Sequence, residues 1–454
     1  MAAREFPVMI KKFFLALVLP LTLSAADQPN FIFILVDDMG WRDVGFAGSE
    51  LAPTPHIDAL AKKGLIFRQA YAAAPNCAPT RACLMTGQYP PRHGIYTVLD
   101  DRHLPGSPQQ KIMAATSQSE LPSQTKTIAD ILHEHGYATG VVGMWNLGRG
   151  KSGPASPLGH GFQYFTEPKA LGFEKDAYLR PDGSELTDVM TDAAIEWMTK
   201  HKDGPFFLYF APHAVHAPFQ PKPELLKKYS DRKDKMEAEY CATIESLDHD
   251  IGRLVSELEK LGLSEKTHIF FTSDNGGTRQ FNAPLREGKG SLYEGGIRVP
   301  ALWTGPGVPS GSVSEEPIST IDFLPTLAEL AQAALPPEQT CDGLSLMPCR
   351  DGKPLGRGQL YWHFPCYTGN AKPSSAIREG DWKLIEFFET GQPELYHLSV
   401  DAAESKNLAT TNPEKTAQLL GLLHNWQKAT QAALPGGPNP NYDPKAKKLP
   451  RESR

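Results

Sequence analysis

Residues 30–36, Asn-Phe-Ile-Phe-Ile-Leu-Val, form an unbroken apolar run that stops at two adjacent acids, Asp37 and Asp38. A run without polar alternation reads as a strand buried on both faces, which commits the chain to a sheet covered by helices on either side. Two more runs repeat the arrangement: residues 205–211 lead into His213 and His216, and residues 268–272 into Asp274 and Asn275. A shorter strand over 138–143 follows an amphipathic helix over 127–135, in which Ile128, Ile131 and Leu132 share one face and Gly136 supplies the stop. Helical patterns over 186–201, 222–262 and 322–332 continue the βα rhythm. The fold class is α/β, with polar residues at the carboxyl ends of strands, where such sheets place their ligands.

The strand ends carry metal-ligand chemistry. Adjacent carboxylates repel each other, so a bound cation explains Asp37 and Asp38 more simply than a capping pair does. Asp274 and Asn275 offer a carboxylate and an amide oxygen, which suit the same hard cation; taken alone, the Asn-Gly step after Asp274 would read as a turn. Residues 77–87, Cys-Ala-Pro-Thr-Arg-Ala-Cys-Leu-Met-Thr-Gly, read as a short helix with Pro79 in its first turn and Gly87 as its stop. Cys77 then lies at the helix N-terminus, where backbone N–H groups favour negative charge, and Arg81 projects from the same face. A lone Cys77 could equally be a buried thiol or half a disulfide.

Composition narrows the class. The 454 residues suffice for a large domain and a smaller one, and 40% hydrophobic with 22% charged residues excludes a disordered chain. A net charge of −6 leaves no basic footprint for nucleic acid. Residues 1–26 read as a signal peptide: Arg4, Lys11 and Lys12, then an apolar stretch over 13–23, then Ser24-Ala25-Ala26 as cleavage site. The expected location is therefore the periplasm or the medium. That stretch is too short for a stable membrane span, and no later segment qualifies. Six cysteines are too few for a disulfide framework, although Cys341 and Cys349 could close a small loop.

The run over 77–87 resembles the sulfatase signature C-x-P-x-R followed by a Leu/Met pair and Thr-Gly. The opening at Asp37-Asp38, the stretch 88–97 with His93, residues 285–300 and residues 342–346 are also similar to that family, so the likeness spans about 30–409. It implies an alkaline-phosphatase-like α/β sandwich, with a mixed central β-sheet flanked by helices and a small C-terminal antiparallel-sheet domain. The catalytic domain would be 27–352 and the α+β subdomain 353–434, with strands over 359–363, 375–378, 381–388 and 394–398 and a helix over 415–432; residues 435–454 read as a disordered tail.

The resemblance also implies the chemistry, hydrolysis of a sulfate ester on a sulfated small molecule or glycan, with a carbohydrate expected. Cys77 would be converted to formylglycine by a formylglycine-generating or sulfatase-maturing enzyme, and the hydrated aldehyde would be the nucleophile. One calcium ion would be held by Asp37, Asp38, Asp274, Asn275 and the modified Cys77. Arg81 would orient the nucleophile, Lys289 would neutralise the sulfate, and His216, with His213 as its local rival, would assist the leaving alcohol. Arg286, Arg298 and His93 read as structural.

The chain departs from the family where sulfatases usually read Gly-Lys-Trp-His-Leu-Gly. Here residues 143–148 are Gly-Met-Trp-Asn-Leu-Gly, so Met144 replaces a lysine that would contact sulfate and Asn146 a histidine that would act as a base. Methionine carries no charge and asparagine accepts no proton near neutrality; losing a general base costs about 10²–10⁴-fold. Cys366 stands where the family often has histidine. These departures keep open a sulfated-glycan binder with weak turnover. A phosphohydrolase of the same superfamily, with a Ser or Thr nucleophile and usually two zinc ions, would need a histidine-rich ligand set that the sequence does not display.

Overall fold

The computed structural model describes residues 28–446 apart from 99–105, 149, 151 and 369–370, so the expected signal peptide and residues 447–454 lie outside it. The first apolar run is β1 (Asn30–Val36), buried at every position. In chain order follow β2 (Leu65–Tyr71), β3 (Ala138–Gly143), β4 (Tyr164–Thr166), β5 (Phe206–Ala211), β6 (Thr267–Ser273), β7 (Arg298–Thr304), β8 (Ser312–Ser314) and β9 (Ile318–Ser319). Among the described residues they make one mixed sheet in the order β4-β3-β5-β1-β6-β7-β2-β8, with β9 beside β2. Strands β3, β5, β1 and β6 are mutually parallel, whereas β7 runs against both β6 and β2.

Strand alternation divides the core in two. On β1, Phe31, Phe33 and Leu35 face one layer, built from Ala78, Ala82 and Met85 of the helix Cys77–Thr86 and from the helices Ile128–Glu134 and Phe323–Leu330. Ile32, Ile34 and Val36 face the other layer, made by the helices Pro55–Lys62, Leu186–Lys200 and Lys235–Lys260. The result is the helix–sheet–helix sandwich expected from the apolar runs.

The second unit is an antiparallel sheet of β10 (Gln359–Phe364), β11 (Ser374–Glu379), β12 (Trp382–Phe387) and β13 (Gln392–His397). One face packs Ile377, Leu384 and Leu395 on Leu419 and Leu423 of the helix Pro413–Ala429. The other face presents Leu360, Trp362, Ile385 and Tyr396 to Tyr71, Leu292, Tyr293 and Ile297 of the large domain. The two units thus share an apolar seam.

Two expectations change, and the pairing left open for Cys341 and Cys349 is not made. The pattern over 222–262 is broken: Asp234 accepts a hydrogen bond from the N–H of Met236 and caps a new helix, Lys235–Lys260, while residues 223–226 form a separate turn. Residues 435–446, expected to be disordered, lie against the loop 106–113; the N–H groups of Gly436 and Asn439 donate to the carbonyls of Met113 and Lys111, and Asn439 Nδ2 caps the carbonyls of Ser107 and Gln110. Cys341 and Cys349 are free thiols, as are the other four cysteines.

His268 on β6 gives the fold a pH dependence. Its ring stacks on Phe31 at 5.9 Å, and Nδ1 accepts the Trp303 indole N–H at 3.2 Å, which only the neutral ring can do. Burial pushes its pKa down to about 4. The unfolded chain therefore binds the proton first, so stability is full above about pH 6.5 and is lost as pH falls toward 4. At about 1.4 kcal/mol per unit, His268 alone should cost about 3 kcal/mol across that window. Urea unfolding at pH 7 and pH 4.5 should register the loss, and His268→Gln should flatten it.

Candidate active site

The parallel strands deliver their ends to one edge of the sheet. Val36 is paired with Ser273, so Asp37 and Asp274 leave the sheet side by side, and the Asp274 N–H donates to the Val36 carbonyl at 3.2 Å. Gly143 is paired with Ala211, which places Met144 to Asn146 beside the segment containing His213 and His216. That segment is stitched to the acids: the Asp37 N–H donates to Ala214 O at 3.0 Å and the Val215 N–H to Asp37 O at 2.7 Å. Asp38 adopts a left-handed backbone (φ 61°), which turns the chain sharply between the two acids.

The helix Cys77–Thr86 enters from one core layer, with every residue buried and Gly87 (φ 67°) closing it as a left-handed cap. Its first residue reaches the acids: Cys77 Sγ lies 3.2 Å from Asp37 Oδ1 and 3.7 Å from Asp38 Oδ1. One turn later the fully buried Arg81 guanidinium donates to Asp274 Oδ2 from Nε at 3.1 Å and Nη2 at 2.7 Å, and Nη2 sits 3.4 Å from Asp37 Oδ2. Its third arm, Nη1, donates to the Met144 carbonyl at 2.7 Å.

Lys289 closes the opposite side. Its N–H donates to Gly277 O at 2.9 Å, the next N–H reaches Pro75 O at 2.7 Å, and Nζ lies 2.6 Å and 2.8 Å from the two oxygens of Asp38. His216, more than a third exposed, holds Nε2 3.6 Å from Asp38 Oδ2. Its Nδ1 lies 2.5 Å from the Ala217 carbonyl, an obligate acceptor, so Nδ1 carries the proton. Asn275 donates from Nδ2 to Asp38 Oδ1 at 2.7 Å and Asp274 Oδ1 at 2.8 Å, while its Oδ1 accepts from the Gly277 N–H. To serve as an oxygen ligand the amide must turn over.

Every expected site residue except His213 is gathered here. His213 is buried with its ring 3.9 Å from that of Tyr178, and burial followed by the charge of His216 pushes its pKa down to about 3, so it is a neutral packing residue. Of the departures, Met144 contributes the carbonyl that holds Arg81, and Asn146 is half-buried with φ 60°. His93 is buried and accepts the Ile95 N–H at 3.2 Å, as a structural residue should. Cys366 points its buried thiol at the Ala115 carbonyl, 3.6 Å away.

Two supporting residues escape a reading by sequence. Ser273 Oγ accepts the Met39 N–H and donates to the Asn275 carbonyl, both at 3.0 Å, tying the two acidic loops together. Asn282 Nδ2 spans the carbonyls of Gly276 and Gly295 at 2.8 Å each. Ser273 ends an apolar strand next to the ligand pair, which is a positional hint; Asn282 lies in an unpatterned loop and has none.

The electrostatics are those of a cation site. One donor atom from each of Asp37, Asp38, Cys77 and Asp274 lies within 4.8 Å of the others, all four residues buried, a set that could hold a metal ion. Burial, then the neighbouring Asp274, pushes Asp37 up to about 7. Burial would raise Asp38 too, but Lys289 and then His216 hold it below the usual carboxylate range. Burial, then Asp274 and Asp37, drives the Cys77 thiol well up. Arg81→Met should strand Asp274 and Asp37 without their buried partner and lower stability by about 3–5 kcal/mol in denaturant unfolding, with Arg81→Lys losing less.

The profile of the Sulfatase family matches residues 29–333, and that of the N-sulphoglucosamine sulphohydrolase C-terminal family matches residues 288–431. Human arylsulfatase A is 31% identical over 94% of this chain and 92% of its own length. The dog N-acetylgalactosamine-6-sulfatase is 30% identical over 88% of this chain and 80% of its own. The crystal structure of Ps i-CgsB in complex with k-i-k-neocarrahexaose superposes with a TM-score of 0.76 at 30% identity, covering 88% of this chain and 92% of that one.

Proposed function

The chain belongs to the sulfatase family and is a sulfuric ester hydrolase, and from that premise we propose that it removes sulfate from a carbohydrate, outside the cytoplasm, through a formylglycine made from Cys77 beside a calcium ion. The observation that carries this reading is the convergence of Asp37, Asp38, Cys77 and Asp274 within 4.8 Å, with Lys289 and Arg81 paired to its acids. The donor set fits the ion: three carboxylates, with the Asn275 amide beside them, are hard oxygen ligands, and sulfur is the one soft atom among them. An oxygen on residue 77 in place of sulfur makes the set uniformly hard. When bound, calcium would polarise the sulfate, and the hydrated formylglycine would supply the attacking oxygen.

The chain's own residues set the rest. Arg81 holds Asp274 and Asp37 in place and, one turn from residue 77 on the same rigid helix, fixes the direction from which that residue attacks. Lys289 offers Nζ as the mobile cation, exchanging part of its pairing with Asp38 for a sulfate oxygen as charge builds there. His216, with its Nδ1 proton tied to Ala217, presents Nε2 toward the acids and solvent, where a leaving alcohol would take a proton from it. The relatives named for N-acetylgalactosamine-6-sulfate hydrolysis and crystallised with neocarrahexaose support a carbohydrate substrate, and the first 26 residues support export by a signal peptide.

One observation favours a second reading, a sulfated-glycan binder with little turnover: Met144 and Asn146 remove the family's second sulfate-binding cation and its base. A panel of sulfated sugars with an aryl sulfate separates the two. Sulfate release, with an aldehyde at residue 77 by peptide mass spectrometry, is the expected result; tight binding without release would favour the binder, and phosphate release alone a phosphohydrolase. Met144→Lys with Asn146→His should raise turnover at least about tenfold if those positions have the assigned roles. Calcium at about a hundred times its Kd should stabilise the metal-stripped protein by about 2.7 kcal/mol, and Asp274→Asn should abolish the effect.

A further inference from the structure

A second cluster of buried charge, away from the acids, lies at the seam between the two domains. Lys383 on β12 is fully buried, with Nζ 2.9 Å from Glu294 Oε1 and 2.9 Å from Glu404 Oε1, and both glutamates are fully buried as well. Glu294 Oε2 accepts the Tyr71 hydroxyl at 2.8 Å and lies 3.5 Å from Arg298 Nη1. Glu404 also accepts the backbone N–H of Glu294 at 2.5 Å, so Glu294 is gripped through both side chain and main chain. Burying this many charges is no efficient way to glue two domains, since apolar packing would serve as well or better. What the ion cluster adds is a defined position for Glu294.

That position matters because the active-site loop leans on the residues after Glu294. The Gly276 N–H, directly after Asn275, donates to Gly296 O at 3.0 Å, and the Gly295 N–H donates to Arg286 O at 3.1 Å. The Asn282 amide bridges the Gly276 and Gly295 carbonyls. A Cβ on Gly276 would lie 2.0 Å from Gly295 O, so the two backbones touch with no slack. The Lys289 N–H in turn is held by Gly277 O. Arg286 crosses the same seam, donating to Tyr396 OH and Glu404 O, with its guanidinium 3.9 Å over the Tyr293 ring.

We propose that Lys383 is a positioning residue for hydrolysis: from the small C-terminal domain it fixes Glu294, and through residues 295–296 it sets Asn275 and Lys289 at the acid cluster. This rests on the roles proposed above for Asn275 and Lys289. The small sheet is then part of the catalytic device and not only a cover. An adhesive role alone would predict weaker domain docking with an unaltered site in whatever fraction stays folded.

The test is Lys383→Met in the full-length protein, read by hydrogen exchange with mass spectrometry and by kinetics. Amides in 276–296 should exchange at least about tenfold faster while those of β1 and the helix Lys235–Lys260 stay unchanged. The inhibition constant of inorganic sulfate should rise at least about fivefold, with KM rising more than kcat falls, and Lys383→Arg should restore both to within about twofold. If Lys383→Met does not fold, Glu404→Gln, which keeps the shape and removes one charge, carries the same measurements. Unchanged exchange in 276–296, or a uniform rise across the whole domain, overturns the proposal. Should the wild-type protein release sulfate from no ester, the proposed function fails, and the exchange pattern still decides whether Lys383 sets this loop.

Discussion

Three carboxylates of this protein, Asp37, Asp38 and Asp274, are held within a few ångströms of one another in its interior, and the rest of the structure is arranged around that repulsion. Two like charges 4 Å apart repel by about 4 kcal/mol even at the moderate effective dielectric of a protein, and burial adds the loss of hydration. The chain meets this with two cations of different kinds, one fixed and one mobile. Arg81 is rigid, fully buried and bonded through three arms, so it fixes geometry. Lys289 is a single ammonium on a flexible stem, so it can move between Asp38 and an incoming anion. Burial, then Asp274, pushes Asp37 up even with Arg81 beside it, and the cation proposed at this site would act against both.

Holding such a cluster requires elements that cannot shift. Parallel register does this for the acids, because Val36 and Ser273 are partners in the sheet and their successors must emerge together. A wholly buried helix does it for Cys77 and Arg81, since close packing in its core layer leaves no room for rotation. Lys289 has neither support: it lies in a loop, fixed by backbone bonds to Gly277 and by the bond of its neighbour Gly290 to Pro75. The buried Lys383 cluster lies behind this least regular part of the site. Where secondary structure cannot supply rigidity, a network of paired buried charges can.

Much of this was legible in the sequence, and the reasons are physical. Strands buried on both faces are continuous apolar runs, so β1, β3, β5 and β6 and the polar groups at their ends could be placed from pattern alone. The strands that pattern does not reveal are those that break its rules. β7 contains Pro300, which argues against a central strand, and β2 carries an irregular register between Phe67 and Ala70 with Arg68 exposed. Asp234 is a strong cap hidden in a charged stretch, so one helix pattern becomes three elements, Pro223–Leu226, Lys227–Tyr229 and Lys235–Lys260. The tail over 435–446 is polar and proline-rich, yet it is ordered by backbone bonds to loop 106–113, and long-range backbone pairing leaves no local trace. Asn282 and Lys383 were hidden for the same reason: their importance lies in what they touch across the fold.

On the roles proposed above, Met144 and Asn146 in place of the family's lysine and histidine would leave the remaining proton chemistry to His216. His213 cannot share it, because it is buried against the tilted Tyr178 ring and burial, then His216, pushes its pKa down to about 3, too weak a base for the task. A single imidazole can still serve a two-step hydrolysis on the proposed roles. Giving a proton to the leaving alcohol converts His216 to its neutral form, and a neutral imidazole is what the second step needs to accept one. The Nδ1–H bond to Ala217 keeps the same nitrogen, Nε2, facing the site in both protonation states, 3.6 Å from Asp38 Oδ2. On those roles His216 gives one proton and regains one, while the proton lost by the attacking hydroxyl has to pass to solvent or to a neighbouring carboxylate, so the substitution of Asn146 removes a second proton carrier. What one histidine cannot do is stand in both places at once, so turnover would be limited by how well Nε2 reaches two successive oxygens from one anchored ring.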